Sequence, residues 1–389
     1  MNTIHAISSC STPRGILLLS LLLVAGCRGF GGAGAPGVAR VAIVFDDAMG
    51  QASLGSEAKR GALIAVEEAG SSAPSTAFFG DAGAAEAAQG SLVTVGFTDS
   101  DELRAALPAF AAAGTSLLVA GATDPCVVRA PGGDLLRFAC YSDPMQGAAM
   151  AEFAHARLGV RKVAVLFDAG SEFASAVGSA FVSVMRGLPD GQARVTAYSG
   201  DFVPSIDAVL SSTPSGAPDA VYLAALPRDA PRVIRALRSR GFTGPVLGPD
   251  SFDEAEILTA SDLGTVLFST HAWLAAQGEP ATESFVRRYR SRFGAEPTAF
   301  AALGYDATRI AMDAVRRAEA AGALNRASVA RALDEVMPHE GLSGRIAPAP
   351  GARFPVKPVW IVEAGAGMRR LAARWEPVAV PDPVCGKAP

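Results

Sequence analysis

The residues of this chain best equipped for covalent chemistry are five cysteines and four histidines. Their spacing argues against a catalytic or metal centre. No Cys-x-x-Cys or His-x-x-x-His pair occurs, so the short ligand spacings of zinc sites are missing. His155, His271 and His339 are scattered over a helical segment, a strand and a loop. There is no Gly-x-Ser-x-Gly elbow and no phosphate-cradling glycine loop, so the sequence offers no support for an enzyme. Cys126 and Cys140 would close a 15-residue loop, worth about 3 kcal/mol in the chain-entropy model. The other reading of that pair is two buried thiols, and Cys385 is left as the odd one.

Cys27 stands in a different context. Arg14 precedes a short apolar run, Ile16 to Val24, which ends in small residues before the cysteine. The run is well short of the roughly 20 apolar residues that span a bilayer, and its order is that of a secretory signal, residues 1–26. Val24-Ala25-Gly26-Cys27 resembles the bacterial lipobox, which implies a diacylated Cys27 as the first mature residue. The five glycines of 28–37 then read as a flexible tether, spanning 27–38 with the cysteine. The expected place is the cell envelope, outside the cytoplasm. In a Gram-negative cell that is the periplasmic side, and Arg28, which is not the retention-type Asp, points to the outer membrane.

Half of the residues are hydrophobic, 19% are charged, and the formal charge is -4 with no basic cluster. Nucleic acid is therefore not an expected partner. After residue 38, apolar runs of strand length occur at 38–45, 75–80, 91–97, 116–121, 161–167, 219–225 and 245–248. Helix-period stripes lie between them, such as Phe285, Tyr289 and Phe293, with Gly294 as a stop. Asp143-Pro144 reads as a helix cap followed by proline in the first turn. Continuous apolar strands alternating with amphipathic helices imply an α/β fold of parallel sheets covered on both faces. The units are too many for one ordinary sheet, so two lobes are expected. Only residues 81–90 separate two of the strands, which demands either a very short helix or one false strand.

Several segments, in order, resemble the type I periplasmic solute-binding proteins, specifically the branched-chain amino-acid (leucine/isoleucine/valine) binding family of ABC importers. They are Val41–Val44 with Ser53–Gly55 and Arg60–Glu68, Gly121-Ala122-Thr123-Asp124-Pro125, and Phe138 to Gly147. Gly304-Tyr305-Asp306-Ala307 and Gly341-Leu342-Ser343-Gly344 complete the set. The resemblance implies two Rossmann-like lobes joined by three hinge strands, lobe I being 39–141 plus 271–344 and lobe II 142–270 plus 345–389. It implies no cofactor and no metal, an ABC permease as partner, and a small ligand in the cleft, an amino acid or related solute.

Carried over residue by residue, Ser100 falls on the carboxylate-binding serine of the family. Gly121, Ala122 and Thr123 fall on its loop of backbone and hydroxyl contacts, and Asp250 on the acid that pairs an ammonium. Phe173 stands where the family has a ligand-contacting tyrosine. The bland readings are a capping serine, a turn, a capping aspartate and a core phenylalanine. The first loop departs from the family, with Asp46-Asp47-Ala48-Met49-Gly50 in place of a serine–glycine turn. These departures keep a second expectation open: a non-transport regulator on the same fold, such as a cell-wall-synthase activator or a ligand sensor.

Overall fold

The computed structural model describes residues 39–45, 52–211, 217–275, 278–365 and 368–385. The signal segment, Cys27, the tether and the loop 46–50 lie outside those residues. The first sheet contains β1 (Ala39–Val44), β2 (Thr76–Phe79), β3 (Ser91–Gly96), β4 (Ser116–Val119) and β5 (Leu136–Phe138). Its order is β2-β1-β3-β4-β5 and every pair is parallel. Helices α1 (Ala52–Ala69), α2 (Ala84–Gly90) and α3 (Ser100–Ala113) connect the strands. The narrow 81–90 segment holds one turn, Asp81–Gly83, and the seven-residue α2, so the crossover is made by a very short helix.

After β5, helix α4 (Asp143–Arg157) leads into a second sheet. There β6 (Lys162–Asp168), β7 (Gln192–Tyr198), β8 (Ala220–Ala224), β9 (Val246–Gly248) and β10 (Val266–Thr270) alternate with α5 (Glu172–Gly187), α6 (Val203–Ser211), α7 (Ala230–Ser239) and α8 (Ala255–Thr259). The chain then returns to the first lobe as α9 (Pro280–Phe293), α10 (Ala299–Ala320), α11 (Arg326–Val336) and the hairpin β11 (His339–Gly341), β12 (Gly344–Ile346). A third passage reaches β13 (Val359–Gly365) and β14 (Met368–Trp375). The second sheet is ordered β14-β13-β10-β9-β8-β6-β7, with antiparallel pairing between β10 and β13 and between β13 and β14. It is therefore mixed, where the sequence pattern implies parallel pairing throughout.

Central strands are mostly apolar because helices cover both faces; β8 and β10 are buried from end to end, with Ser269 and Thr270 at the end of β10. The edges, β7 and β14, alternate exposed and covered positions and carry Arg194, Arg369, Arg370 and Arg374. Charge on an edge strand discourages pairing with another chain.

The two late sequence signatures meet each other. Gly304 on α10 and Gly61 on α1 let the two helices touch backbone to backbone. A Cβ at Gly304 would lie 2.0 Å from the Ala58 carbonyl oxygen, and one at Gly61 1.8 Å from that of Ala301. Next to Gly304, the fully buried Asp306 accepts hydrogen bonds from the Leu342 and Ser343 amides, both at 2.8 Å, and from the Ser343 hydroxyl at 2.7 Å. The buried ammonium of Lys357 donates to Ser343 Oγ and to the Ala139 carbonyl, each at 3.0 Å. Burial pushes Lys357 down to about 8, and the Asp306 charge works against that shift. These motifs hold the chain passages in place.

Candidate functional site

The C-terminal ends of the strands face each other where the two lobes meet, the usual place for a ligand in open α/β sheets. β3 ends at Gly96, and Phe97 follows with φ of 63°, a left-handed conformation that a bulky residue adopts only under constraint. The constraint is visible: the Phe97 carbonyl accepts the amides of Gly121 at 3.0 Å and Ala122 at 3.2 Å, and its ring packs edge-on against Phe110. Asp99, rather than Ser100, caps α3, accepting the amides of Asp101 at 2.8 Å and Glu102 at 3.1 Å. Ser100 is the first helical residue, and its hydroxyl oxygen accepts the Asp124 amide at 3.2 Å. Gly121 is small because Phe300 lies above it; a Cβ there would sit 2.9 Å from that ring.

From Thr123 a chain of buried polar groups crosses the boundary between the sheets. The Thr123 hydroxyl donates to Asp143 Oδ1 at 2.6 Å. Gln146, one turn along α4, donates to Asp143 at 3.0 Å and to Asp250 Oδ1 at 3.1 Å. Its carbonyl oxygen accepts the Asp250 amide at 3.0 Å and the Ser269 hydroxyl at 2.8 Å. Asp250 Oδ2 meets His271 Nε2 at 2.8 Å, and His271 stacks on Tyr141 with ring centres 3.8 Å apart. Burial lowers the His271 pKa below its ordinary value against the pull of Asp250, so the ring is neutral and donates from Nε2. Burial, reinforced by the Asp124 charge, pushes Asp143 well above the ordinary carboxylate range.

Ser100, Gly121, Ala122, Thr123 and Asp250 thus lie along this one boundary, each nearly or fully buried and bonded to other protein groups. Phe173 is elsewhere, in the core of the second lobe with Phe181 and Tyr222. Asp143 is not the cap of α4; Ser142 is, and the carboxylate turns inward to Thr123. Gln146 and His271 carry the network, and the sequence did not mark them as site residues. Their spacing to Asp250 is long in sequence and closes only when both lobes form.

The cysteine pairing also differs from the expected one. Cys140 is a buried free thiol at the end of the first sheet, donating to the Ala122 carbonyl at 3.3 Å. Cys126 is bonded instead to Cys385, with Cα atoms 5.5 Å apart and 259 residues between them in sequence. Short loop spacing favoured the wrong partner, because a buried Cys140 faces inward while the C-terminal segment passes Cys126 at the surface.

Beside the network, a cavity of about 570 Å³ opens between the lobes. Arg104 and Cys126 line it from the first lobe, and Phe167, Ser171, Glu172 and Ser175 from the second. Arg104 pairs with Asp124 on its own lobe and reaches Glu172 across the gap at 2.9 Å. That volume lies within the roughly 300–1,000 Å³ of small-molecule sites, and the lining offers hydroxyls, two guanidiniums, two carboxylates and one aromatic face. Burial pushes the Cys140 thiol far up. Among the described residues no cluster of three or more His, Cys, Asp or Glu is arranged to hold a metal. No described helix is long and apolar enough to cross a membrane.

A model of the family described as periplasmic binding protein matches residues 80–368. The chain belongs to the periplasmic binding protein family. Among solved structures, the leucine-binding protein LivK from Thermotoga maritima is 26% identical, with a TM-score of 0.77, over 87% of this chain and 99% of that one. LivJ from Streptococcus pneumoniae, in complex with isoleucine, is 20% identical with a TM-score of 0.72, over 86% and 97% of the two chains. A solute-binding protein from R. palustris in complex with benzoate is 17% identical with a TM-score of 0.74, over 90% and 100%. No curated protein matches the chain. This periplasmic binding protein has the type I fold of two α/β lobes.

Proposed function

We propose that the chain is a lipid-anchored, extracytoplasmic receptor that takes a small polar solute, an amino acid or a related carboxylate, into the cleft between its lobes and delivers it to an ABC permease. Lobe I is 39–141 with 271 to about 358, later than the expected 344 because β12 and Phe354 pack on the first lobe; lobe II is 142–270 with the chain from β13 onward, and Cys27 is the lipid attachment point. The observation that carries the reading is the interlobe cavity, about 570 Å³, lined by Arg104 and Asp124 from one lobe and by Phe167, Ser171 and Glu172 from the other; Ser100, Thr123 and Asp250 do not line it. Lobe closure over a ligand that touches both sides is the expected motion. A ligand that binds only the folded protein raises its melting temperature by mass action. The test is a thermal-shift panel of amino acids and small carboxylates on residues 28–389, repeated with Ser100→Ala and Asp250→Ala.

One observation favours a second reading. The polar groups at the expected contacts already satisfy one another, with Asp250 held by Gln146 and His271. A receptor that signals to a protein partner, such as a cell-wall synthase, needs no emptied polar cleft. A panel without any shift, together with recovery of a cell-wall enzyme in a pull-down, would support it.

A further inference from the structure

The C-terminal segment after β14 belongs by its contacts to the second lobe, yet it ends on the first. Glu152 of α4 fixes its start. That carboxylate accepts the Trp375 indole N–H and the Val378 amide at 3.0 Å and the Ala379 amide at 3.3 Å. Trp375 itself packs edge-on against Phe153. Pro381 to Val384 then face Ala176, Ser179 and Ala180 of α5 around a small cavity of about 30 Å³, and Cys385 closes the disulfide to Cys126. Cys126 sits on the single-turn helix Pro125–Arg129 that follows β4, in the first lobe.

The segment carries no helix or strand and bends at Val378, and Pro377, Pro381 and Pro383 restrict its backbone. Val384 and the disulfide form part of the wall of the interlobe cavity, on the same flank as the Arg104–Glu172 ion pair that spans it. The ion pair is partly exposed and contributes little on its own. The covalent link is different in kind. On this flank the lobes can separate only by peeling the segment from α5 or by breaking the disulfide.

We propose that residues 376–385 are a covalent strap that limits lobe opening and so sets how far the interlobe cavity is exposed. The strap adds a side-chain bridge to the three main-chain passages. It acts whatever the solute, and it is complete only where the environment lets the disulfide form.

Hydrogen exchange read by mass spectrometry on the oxidised mature chain, against Cys385→Ser and against the wild type reduced with dithiothreitol, tests this. Amides at the cavity wall, around 100–104, 124–129 and 169–175, should exchange about fivefold faster or more in both altered forms. Amides of β1, β3 and β8 should keep their wild-type rates, which separates opening from unfolding. Faster exchange confined to 376–385 would overturn the proposal, because the tail would then be a passive end. Equal acceleration across the core strands would overturn it too, because the disulfide would then be a global staple.

Discussion

Replacing Gln146 by leucine removes the centre of the polar network while nearly conserving volume. Gln146 makes four hydrogen bonds within 2.8–3.1 Å. Its loss leaves the Asp250 amide buried without an acceptor, and an orphaned buried donor costs about 1–3 kcal/mol. The Ser269 hydroxyl can turn to Tyr141, which lies within its reach, so its loss is smaller. Asp143 and Asp250 each lose one donor but keep Thr123 and His271. Together these terms predict a loss of about 3 kcal/mol, read as a fall in the urea midpoint at unchanged slope. A glutamate in its place is the sharper probe. It keeps both accepting roles but turns the donating amide into a third carboxylate facing Asp143 and Asp250. Protonation restores one of the two donated bonds, so the folded form of Gln146→Glu takes up a proton that the unfolded chain does not. Its stability relative to Gln146→Leu should therefore fall as pH rises from about 5 to about 8. If both variants stay within about 0.5 kcal/mol of the wild type, with no pH-dependent difference, the network argument is wrong.

Two further outcomes follow from the packing. Gly304→Ala drives a methyl into the Ala58 carbonyl, 2.0 Å from the ideal Cβ, and should cost several kcal/mol, on the order of 3 or more; thermal melting reads it, and a neutral result would mean α1 and α10 do not touch as described. Lys357, with its folded-state pKa pushed down to about 8 from 10.5, leaves the unfolded chain holding more protons above that pH, so its contribution to stability rises with pH through the window from about 8 to about 10. Buried Cys140 and tyrosines pull the other way, so the quantity to measure is the urea midpoint of wild type minus Lys357→Met, which should increase across that window. A flat difference would show that the ammonium is solvated.

Apolar strands such as β1 and β8 were legible because a sheet covered on both faces leaves no polar alternation to hide them, although the equally buried β10 and the largely buried β13 were not among the expected runs. β14 was not, since an edge strand with Arg369, Arg370 and Arg374 reads as a polar segment. The same logic divides the site. Ser100, Thr123 and Asp250 lie at or just after the ends of helices and strands, where local sequence marks them. What satisfies them does not show locally: Asp250 is bonded by Gln146 from 104 residues away and by His271 from 21. The disulfide is the extreme case, a pairing over 259 residues that no spacing rule reveals. Gly121 was expected in the loop that contacts a ligand, and the group nearest its missing side chain is the Phe300 ring.

The central claim is that the gap between the lobes receives a solute. Isothermal titration of the oxidised mature chain with the solute giving the largest thermal shift, alongside Arg104→Ala, tests it most directly. Arg104 lines the cavity from one lobe and bonds to Glu172 of the other. The account predicts one-to-one saturable binding that weakens about tenfold or more in the variant, since a charge-assisted hydrogen bond is worth about 1.5–3 kcal/mol. Saturable binding that the substitution leaves unchanged, or no binding by any member of the panel, would contradict it.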